Sequence, residues 1–321
     1  MSKILVSIAL VLALAACSTT SAPRMTEFSA GLSEHTLVSN GLVRTYQLYR
    51  PASADAAAPA VFALHGSRGS GKEMRTLVGK GFETLADQYG FIVVYPDGVE
   101  NHWNDCRASA DYLANTRDIN DPLFFEDLIN ELTNTQSIDR TQAFITGLSN
   151  GGHMAYRIAL EKPDLFQAYA ALIASLPEER NLDCGQSRQA VNMLIMNGTE
   201  DPINPFKGGM VTLGGNSSRG PVMSTRETAL YWAGLAGHRR PPEETTFAEH
   251  DGNEATSISQ KTWSSEGAHT VSLITLHGSG HVFPVQGAKI PSKYAAILGT
   301  AAGDINGAEE VVRFFRLNHA E

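Results

Sequence analysis

The amino-acid sequence predicts an α/β fold, in which helices cover both faces of a mostly parallel central sheet. Apolar segments of strand length alternate along the chain with amphipathic segments of helix length. The segment 91–95 is apolar throughout, which is typical of a central strand covered on both faces. With 321 residues, 42% of them hydrophobic, the chain is long enough for one large domain or two small ones.

The individual elements follow from local patterns. Residues 36–39 and 42–49 are rich in β-forming residues and flank Asn40-Gly41, which predicts a hairpin. The apolar segment 59–64 predicts a buried strand, and the periodicity of 75–88 predicts one helix. The same criteria predict strands at 91–95, 142–146, 166–173, 191–196, 256–263 and 270–276, helices at 124–134, 150–162, 224–235 and 308–317, and irregular segments at 99–122 and 203–222.

A Gly-x-Ser-x-Gly motif centred on Ser149 lies between a predicted strand and a predicted helix. A sharp turn between these elements raises a serine hydroxyl above the sheet as a nucleophile. Gly147 and Gly151 leave room for the strained turn and for the helix that packs close to it. The amide of Asn150, at the start of the helix, can stabilise a developing oxyanion. The alternative is a plain strand-to-helix turn in which Ser149 caps the helix.

A serine nucleophile needs a base, and the base needs an acid that orients it, in the chain order Ser, Asp or Glu, His. Asp201 lies in the turn after the strand 191–196 and is the predicted acid, with Glu200 as the alternative. Of the six histidines after Asp201, only His277 and His281 follow a convincing strand. His281 lies in a glycine-rich loop and is the predicted base, whereas His277 is expected to be structural.

The loop after the strand 59–64 is expected to supply a second oxyanion donor. The Ser67 amide is the predicted donor, and the amides of Gly66 and Arg68 are alternatives. His65 precedes Ser149 in the chain, so it is expected to brace the loop rather than act as a base. All these candidates follow strands, and the carboxyl ends of parallel strands gather at one edge of a sheet, so they predict a single site.

Trp103 lies in the irregular segment 99–122 and is a candidate for lining the substrate pocket, although a role as a core residue is equally plausible. The net charge is −9 and the basic residues are scattered, which argues against a nucleic-acid partner and mildly against anionic substrates. No spacing of His, Cys, Asp or Glu suggests a metal site, and the glycine pairs at 208–209 and 214–215 lack the Lys-Ser/Thr of a phosphate loop. No metal or cofactor is therefore expected.

The N-terminus has the proportions of an export signal. Lys3 precedes the apolar run from Ile4 to Ala16, which is too short to span a bilayer. The run ends in Ala15-Ala16-Cys17-Ser18, which resembles a bacterial lipobox and implies cleavage before Cys17 and a lipid anchor on it. The alternative is an ordinary secretory signal that contains a cysteine.

These features predict three parts of the chain. Residues 1–16 would be a lipoprotein signal peptide, 17–30 a tether and 31–321 the catalytic domain. The protein would lie in the cell envelope, anchored to a membrane through Cys17, or outside the cell. Ser18 after the anchor favours the outer membrane in a bacterium that has one.

If Cys17 carries lipid, Cys106 and Cys184 remain. Disulfides form in exported proteins, so these two cysteines are predicted to pair. The bond would join the loop after the strand 91–95 to the segment before the strand 191–196. The alternative is two separate buried thiols.

Together these residues resemble the α/β-hydrolase esterases that include polyhydroxybutyrate depolymerases and feruloyl and acetyl-xylan esterases. The resemblance covers about residues 40 to 315, and it implies the α/β-hydrolase fold with Ser149, Asp201 and His281 as the catalytic triad. The matching segments are Leu64-His65-Gly66, Tyr95-Pro96-Asp97-Gly98, Trp103-Asn104, Gly147-Leu148-Ser149-Asn150-Gly151-Gly152, Gly198-Thr199-Glu200-Asp201-Pro202, Pro205-Phe206, Gly208-Gly209 and Gly280-His281.

The sequence departs from the family pattern in regions that select the substrate. Phe283 stands where the family often has Trp, the segment 237–240 lacks a Cys that the family often has, and no separate polymer-binding domain is evident. The resemblance therefore implies a serine carboxylic-ester hydrolase that forms an acyl-enzyme on short hydroxyalkanoate esters. A feruloyl or acetyl-xylan esterase, a peptidase of the same fold and a non-catalytic envelope lipoprotein are the alternatives, because loops rather than the triad choose the substrate.

Overall fold

The computed structural model describes residues 29–247, 255–286 and 292–318. The predicted signal peptide, Cys17 and most of the tether lie outside the described residues, as do His250 and His319. No helix in the described segments combines the length and the apolar character needed to cross a bilayer.

A ten-stranded sheet forms the centre of the domain, in the order β1-β2-β4-β3-β5-β6-β7-β12-β11-β10. Six neighbouring strands, from β4 to β12 in that order, are parallel, and the outer strands on both sides are antiparallel. The strands of this sheet are β1 (Gly31–Ser39), β2 (Leu42–Arg50), β3 (Ala58–Leu64), β4 (Ile92–Pro96), β5 (Ile138–Leu148), β6 (Ala168–Leu172), β7 (Met193–Gly198), β10 (Glu243–Thr246), β11 (Ser257–Trp263) and β12 (Val271–His277). A separate two-stranded sheet pairs β8 (Gly209–Met210) with β9 (Pro221–Val222).

Helices cover both faces of the sheet, as the sequence predicts. One apolar core lies under α4, α5 and α6, and a second lies on the opposite face under α1, α2 and α8. The helices are α1 (Gly71–Leu77), α2 (Gly81–Tyr89), α3 (Leu113–Thr116), α4 (Asp121–Gln136), α5 (Asn150–Glu161), α6 (Thr225–Leu235), α7 (Ser292–Leu298) and α8 (Gly307–Phe314). The α/β fold with a mostly parallel sheet is thus confirmed.

The register of the parallel strands brings the loops of interest to one edge. Leu64 lies beside Gly147, Leu148 beside Leu172, and Gly198 beside Leu276. The chain therefore leaves β3, β5, β7 and β12 at the same edge of the sheet, where the predicted functional loops follow.

Some local predictions are wrong. The segment 75–88 is not one helix, because the chain turns between α1 and α2 at Gly79 and Lys80, both of which have positive φ. The helix α1 also begins before the predicted segment, because the side chain of Ser70 caps it by accepting a hydrogen bond from the Glu73 amide. Strand β10 and helix α7 were not predicted; β10 is polar and fully exposed, so it lacks the alternation that marks a strand.

The two segments predicted to be irregular contain short elements. Helix α3 lies within 99–122, and the β8–β9 pair lies within 203–222. Each is shorter than the window over which periodicity can be read from a sequence.

Candidate active site

Ser149 lies in the sharp turn between β5 and α5. Its φ of 55° and ψ of −115° fall in a region that a non-glycine residue adopts only under strain. A Cβ atom on Gly147 would lie 2.1 Å from the Gly151 carbonyl oxygen, and one on Gly151 would lie 2.6 Å from the Leu64 oxygen. The close approach of β5, β3 and α5 therefore requires glycine on both sides of Ser149.

The side chain of Ser149 does not cap α5. Its Oγ lies 3.0 Å from Nε2 of His281 instead. Nδ1 of His281 lies 2.7 Å from Oδ2 of Asp201. The structure thus brings together the three residues that were predicted to form the triad.

Asp201 is held in place by the backbone around it. It is 7% exposed, and its Oδ1 accepts hydrogen bonds from the amides of Ile203 and Asn204, each at 2.8 Å. A neutral His281 that donates from Nδ1 to this carboxylate presents Nε2 as the acceptor for the Ser149 hydroxyl. This arrangement can remove a proton from Ser149 and return it to a leaving group.

The alternative acid and base lie elsewhere. Glu200 is exposed, and none of the hydrogen bonds within the described chain joins it to His281. His277 is also exposed, and its Nε2 lies 2.8 Å from Oγ of Ser259. His277 is therefore a surface residue at the end of β12, as expected.

The loop after β3 leaves two amides near Ser149, those of Gly66 and Ser67, without a hydrogen bond to the described chain. The Arg68 amide donates to the Asn101 oxygen at 2.9 Å, which removes it from the predicted alternatives. Gly66 packs against the turn, since a Cβ on it would lie 3.4 Å from Cβ of Ser149. The Ser67 amide makes no hydrogen bond with another part of the described chain. The Asn150 amide starts α5 and points out of the helix end, where anions are stabilised.

A buried network of side chains connects Asn150 to Ser67. Nδ2 of Asn150 donates to Oδ2 of Asp105 at 2.6 Å, and Nη2 of Arg107 lies 2.5 Å from the same oxygen. Arg107 also donates to the hydroxyl of Tyr112, which donates to Oδ2 of Asp105 at 3.4 Å and lies beside the Ser67 side chain. The Arg107 cation lowers the pKa of Asp105 against the opposing effect of burial, so the carboxylate stays charged.

The sequence did not predict a role for Asp105, Arg107 or Tyr112. The one available signal is that Asp105 and Arg107 flank Cys106 in an otherwise polar segment. Opposite charges beside a half-cystine can mark a buried ion pair, because a disulfide restrains the backbone around it.

The predicted disulfide between Cys106 and Cys184 is present, with a Cα–Cα distance of 5.1 Å. It joins the network segment to the chain before β7, where the Asp183 amide also donates to the Cys106 oxygen. The disulfide therefore anchors the segment that carries Asp105 and Arg107.

Trp103 does not line a pocket, so that prediction is wrong and its alternative, a core residue, holds. The side chain is fully buried, and its indole nitrogen donates to the His65 oxygen at 3.0 Å. Its backbone amide donates to Oδ1 of Asn150 at 2.8 Å. The ring turns inward because a buried carbonyl satisfies the indole N–H there.

His65 braces its loop, as predicted. Its Nδ1 donates to the Gly66 oxygen at 2.7 Å, and its Nε2 accepts from the Gly98 amide at 2.9 Å. Burial lowers the pKa of His65, so the ring stays neutral and can accept the Gly98 bond.

A cavity of about 610 Å³ opens beside Ser149 and His281. Most of its surface is aliphatic, and its charged members are Arg68, Glu73, Arg107 and Arg219. The apolar lining comes from Met74, Leu77, Leu148, Ile173, Ile203, Val211, Leu213, Val282, Phe283, Val285, Leu298 and Ala301. A larger depression of about 800 Å³ lies at the opposite edge of the sheet, where the strands begin, and has no contact with Ser149.

Within the described segments, no group of three His, Cys, Asp or Glu side chains is placed to hold a metal ion.

His153 lies one helical turn after Ser149 and is fully buried near Arg107. Its Nδ1 has no hydrogen-bond partner within the described chain. Burial, followed by the nearby Arg107 cation, holds the pKa of His153 well below its usual range. The imidazole is therefore neutral in the folded protein.

Comparisons with known proteins agree with this geometry. Residues 40–250 match the family described as "Putative esterase". The chain is 30% identical over 289 residues to "Putative esterase NocK" from Nocardia uniformis subsp. tsuyamanensis, which covers 85% of this chain and 79% of that protein. It is 28% identical over 271 residues to "Poly(3-hydroxyalkanoate) depolymerase C" from Paucimonas lemoignei, which covers 79% of this chain and 61% of that protein.

Among solved structures, the fold is similar to that of an acetyl xylan esterase from Aspergillus awamori. The TM-score is 0.56 at 18% sequence identity, and the match covers 89% of this chain and 99% of the other. At this identity the similarity concerns the fold.

The buried neutral His153 makes stability depend on pH. The unfolded chain binds a proton at this residue below about pH 6.5, whereas the folded chain does not, so stability decreases as the pH falls. The slope contributed by one such histidine approaches about 1.4 kcal/mol per pH unit. We expect His153→Gln to lose less stability than the wild type between pH 7 and pH 5, measured by urea denaturation.

Above pH 7.5, where His153 is neutral in both states, the two proteins should show parallel stability curves. Equal slopes below pH 6.5 would contradict a lowered pKa for His153.

Proposed function

Because this chain belongs to the esterase family and is a carboxylic ester hydrolase, we propose that Ser149 is its nucleophile, His281 its general base and Asp201 the carboxylate that orients the base. The observation that carries the proposal is the continuous row of contacts, 3.0 Å from Ser149 to His281 and 2.7 Å from His281 to Asp201. The row lies at the mouth of an apolar cavity that can hold an ester.

Ester hydrolysis would proceed in two steps. In the first, Oγ of Ser149 attacks the ester carbonyl while Nε2 of His281 takes the hydroxyl proton. Asp201 stays charged and stabilises the imidazolium that forms. His281 then gives the proton to the leaving alcohol, and the acyl group remains bonded to Ser149. In the second step, water attacks the acyl-enzyme with His281 as base, and the acid leaves.

The amides of Asn150 and Ser67 would stabilise the oxyanion of both tetrahedral intermediates. Support for this role comes from their positions, at the start of α5 and in the loop after β3. Their side chains connect to the Asp105–Arg107–Tyr112 network, which would keep the two amides at a fixed separation.

The proposed substrate is a short hydroxyalkanoate ester. The cavity is lined mainly by aliphatic side chains, which suit a branched aliphatic acyl chain. Trp103 is buried elsewhere and offers no flat surface for a feruloyl ring or a sugar. The relative named as a poly(3-hydroxyalkanoate) depolymerase gives further support. A feruloyl or acetyl-xylan ester is the second candidate, since the fold is shared with an acetyl xylan esterase.

The proposed location is the cell envelope, with a lipid anchor on Cys17. Support comes from the export-like N-terminus and from the Cys106–Cys184 disulfide, which forms readily in an oxidising compartment.

Replacing Ser149 tests the nucleophile. We expect Ser149→Ala to lower kcat by roughly 10³-fold or more on p-nitrophenyl butyrate and on hydroxybutyrate oligomers. The exposed Ser264→Ala should stay within about twofold of the wild type. Labelling by an organophosphate ester, followed by peptide mass spectrometry, should place the adduct on Ser149. Turnover that is unchanged in Ser149→Ala would contradict the mechanism, and peptide hydrolysis without ester hydrolysis would favour a peptidase.

Tyr112→Phe tests the link between the network and the oxyanion donors. The change removes the hydroxyl that bonds Arg107 and lies beside Ser67, so we expect kcat to fall by roughly tenfold with little change in KM, because the transition state loses more than the ground state. The matched control is Tyr49→Phe, whose hydroxyl bonds Asp87 on the surface, and it should keep wild-type kinetics. A wild-type kcat in a stable Tyr112→Phe protein would separate the network from catalysis.

The lipid anchor is tested on the full chain. In bacterial cells, Cys17→Ser should shift the protein from the membrane fraction to the soluble fraction, because the acylated residue is absent. Mass spectrometry of the wild-type N-terminal peptide should find acyl chains on Cys17, and Ser21→Ala in the tether should stay with the membrane. An unmodified wild-type Cys17 would rule out the anchor.

A further inference from the structure

Arg219 lines the same cavity as Ser149, and its charge has no partner among the residues that the structure describes. The side chain is 6% exposed, and its Nη1 is a buried donor without an acceptor within the described chain. The described residues also form no ion pair with its guanidinium. An unpaired buried cation costs free energy, so its retention calls for an explanation.

Two other buried arginines, Arg44 and Arg107, do have carboxylate partners. Arg44 lies 2.8 Å from Asp121, and Arg107 lies 2.5 Å from Asp105. Both pairs are almost wholly shielded from water. In both, the carboxylate neutralises the buried guanidinium. Arg219 differs from them in that the described part of the chain places no such carboxylate on it.

Contacts with the surrounding chain hold Arg219 in position. Nδ2 of Asn181 donates to the carbonyl oxygens of Arg219 and Pro221, each at 3.0 Å. Gly220, between them, has a φ of +69°, and a Cβ there would lie 2.5 Å from Oδ1 of Asn181. The guanidinium carbon lies 5.6 Å from the ring centre of Tyr112. Arg219 is thus held by its backbone and by an aromatic ring, unlike a surface arginine that bends into a cleft.

The charged side chains around the cavity beside Ser149 leave one positive charge in excess. Three arginines line the cavity, Arg68, Arg107 and Arg219. Within the described residues, the carboxylates set against them are Glu73, which also lines the cavity, and the buried Asp105, which already bonds Arg107 and Asn150. Glu73 is exposed and bonds Ser70, and Asp111 is exposed and bonds Ser218, so neither is paired with Arg219. The local charge is therefore opposite to the net charge of −9, on which the expectation against anionic substrates was based.

We propose that Arg219 binds a free carboxylate of the substrate, so that the enzyme prefers esters of which one end is an acid. A guanidinium binds a carboxylate through two parallel hydrogen bonds, and a buried site strengthens them. Short oligomers of hydroxy acids end in such a carboxylate, whereas acetyl and feruloyl esters of neutral sugars do not. The inference rests on the proposed esterase function and identifies the substrate class of the same site.

The test uses two matched pairs of esters in a pH-stat. The dimer of 3-hydroxybutyrate and its terminal amide differ in a carboxylate on the alcohol side of the ester. Monoethyl adipate and ethyl hexanoate differ in a carboxylate on the acyl side. The measured quantity is the ratio of kcat/KM for the acid to kcat/KM for the neutral partner, so that each enzyme serves as its own control.

We expect the wild type to favour the acid in at least one pair, and Arg219→Gln to lower that ratio roughly tenfold to hundredfold. Arg226→Gln removes the same charge from an exposed position on α6, and it should leave the ratio within about twofold. Arg219→Lys, which keeps the charge but loses the two-pronged geometry, should lie between the wild type and Arg219→Gln.

A wild type that favours the neutral partner in both pairs would overturn the proposal, as would an equal ratio in Arg219→Gln. If Arg219→Gln fails to fold, inhibition of the wild type decides: butyrate should inhibit ethyl hexanoate hydrolysis more strongly than butyramide, and equal inhibition would overturn the proposal. If the wild type hydrolyses none of the four esters, the proposed esterase function itself fails.

Discussion

The strained turn at Ser149 is the constraint on which the rest of the site depends. A residue with φ of 55° and a side chain can be kept there only if the strand before it and the helix after it are both fixed. The two flanking glycines allow β3, β5 and α5 to approach to a distance that no side chain would tolerate. The position of Ser149 also restricts where His281 and Asp201 can lie, because three side chains joined by hydrogen bonds have little conformational freedom.

The segment from Trp103 to Tyr112 stabilises the other side of the turn. Asn150 holds the backbone of Trp103 and the carboxylate of Asp105, and Asp105 holds Arg107. The disulfide at Cys106 fixes the middle of this segment to the chain before β7. A single buried network thus supports both proposed oxyanion donors, and the covalent bond limits how far it can relax.

The charges around the cavity are not equivalent. Buried arginines of this chain have a structural role where a carboxylate neutralises them, as with Arg44 and Arg107. Arg219 is also buried, but the described residues offer it no such partner. Catalysis and substrate choice would therefore depend on different parts of the fold, the first on the strand ends and the second on the segment around β8 and β9.

The sequence by itself determined the features that depend on neighbours along the chain. These are the alternation of strands and helices, the turn at Ser149, and the positions of Asp201 and His281 just after strands, since strand order places such residues at one edge. Only the tertiary structure decided which loops meet there. It buried Trp103 in the core and divided the predicted helix at 75–88. It also connected Asp105, Arg107 and Tyr112 to the side chain of Asn150, and it gave Arg219 no carboxylate partner within the described residues. Such contacts join residues far apart in the chain, and side-chain burial and charge pairing across loops leave no periodic pattern in the sequence.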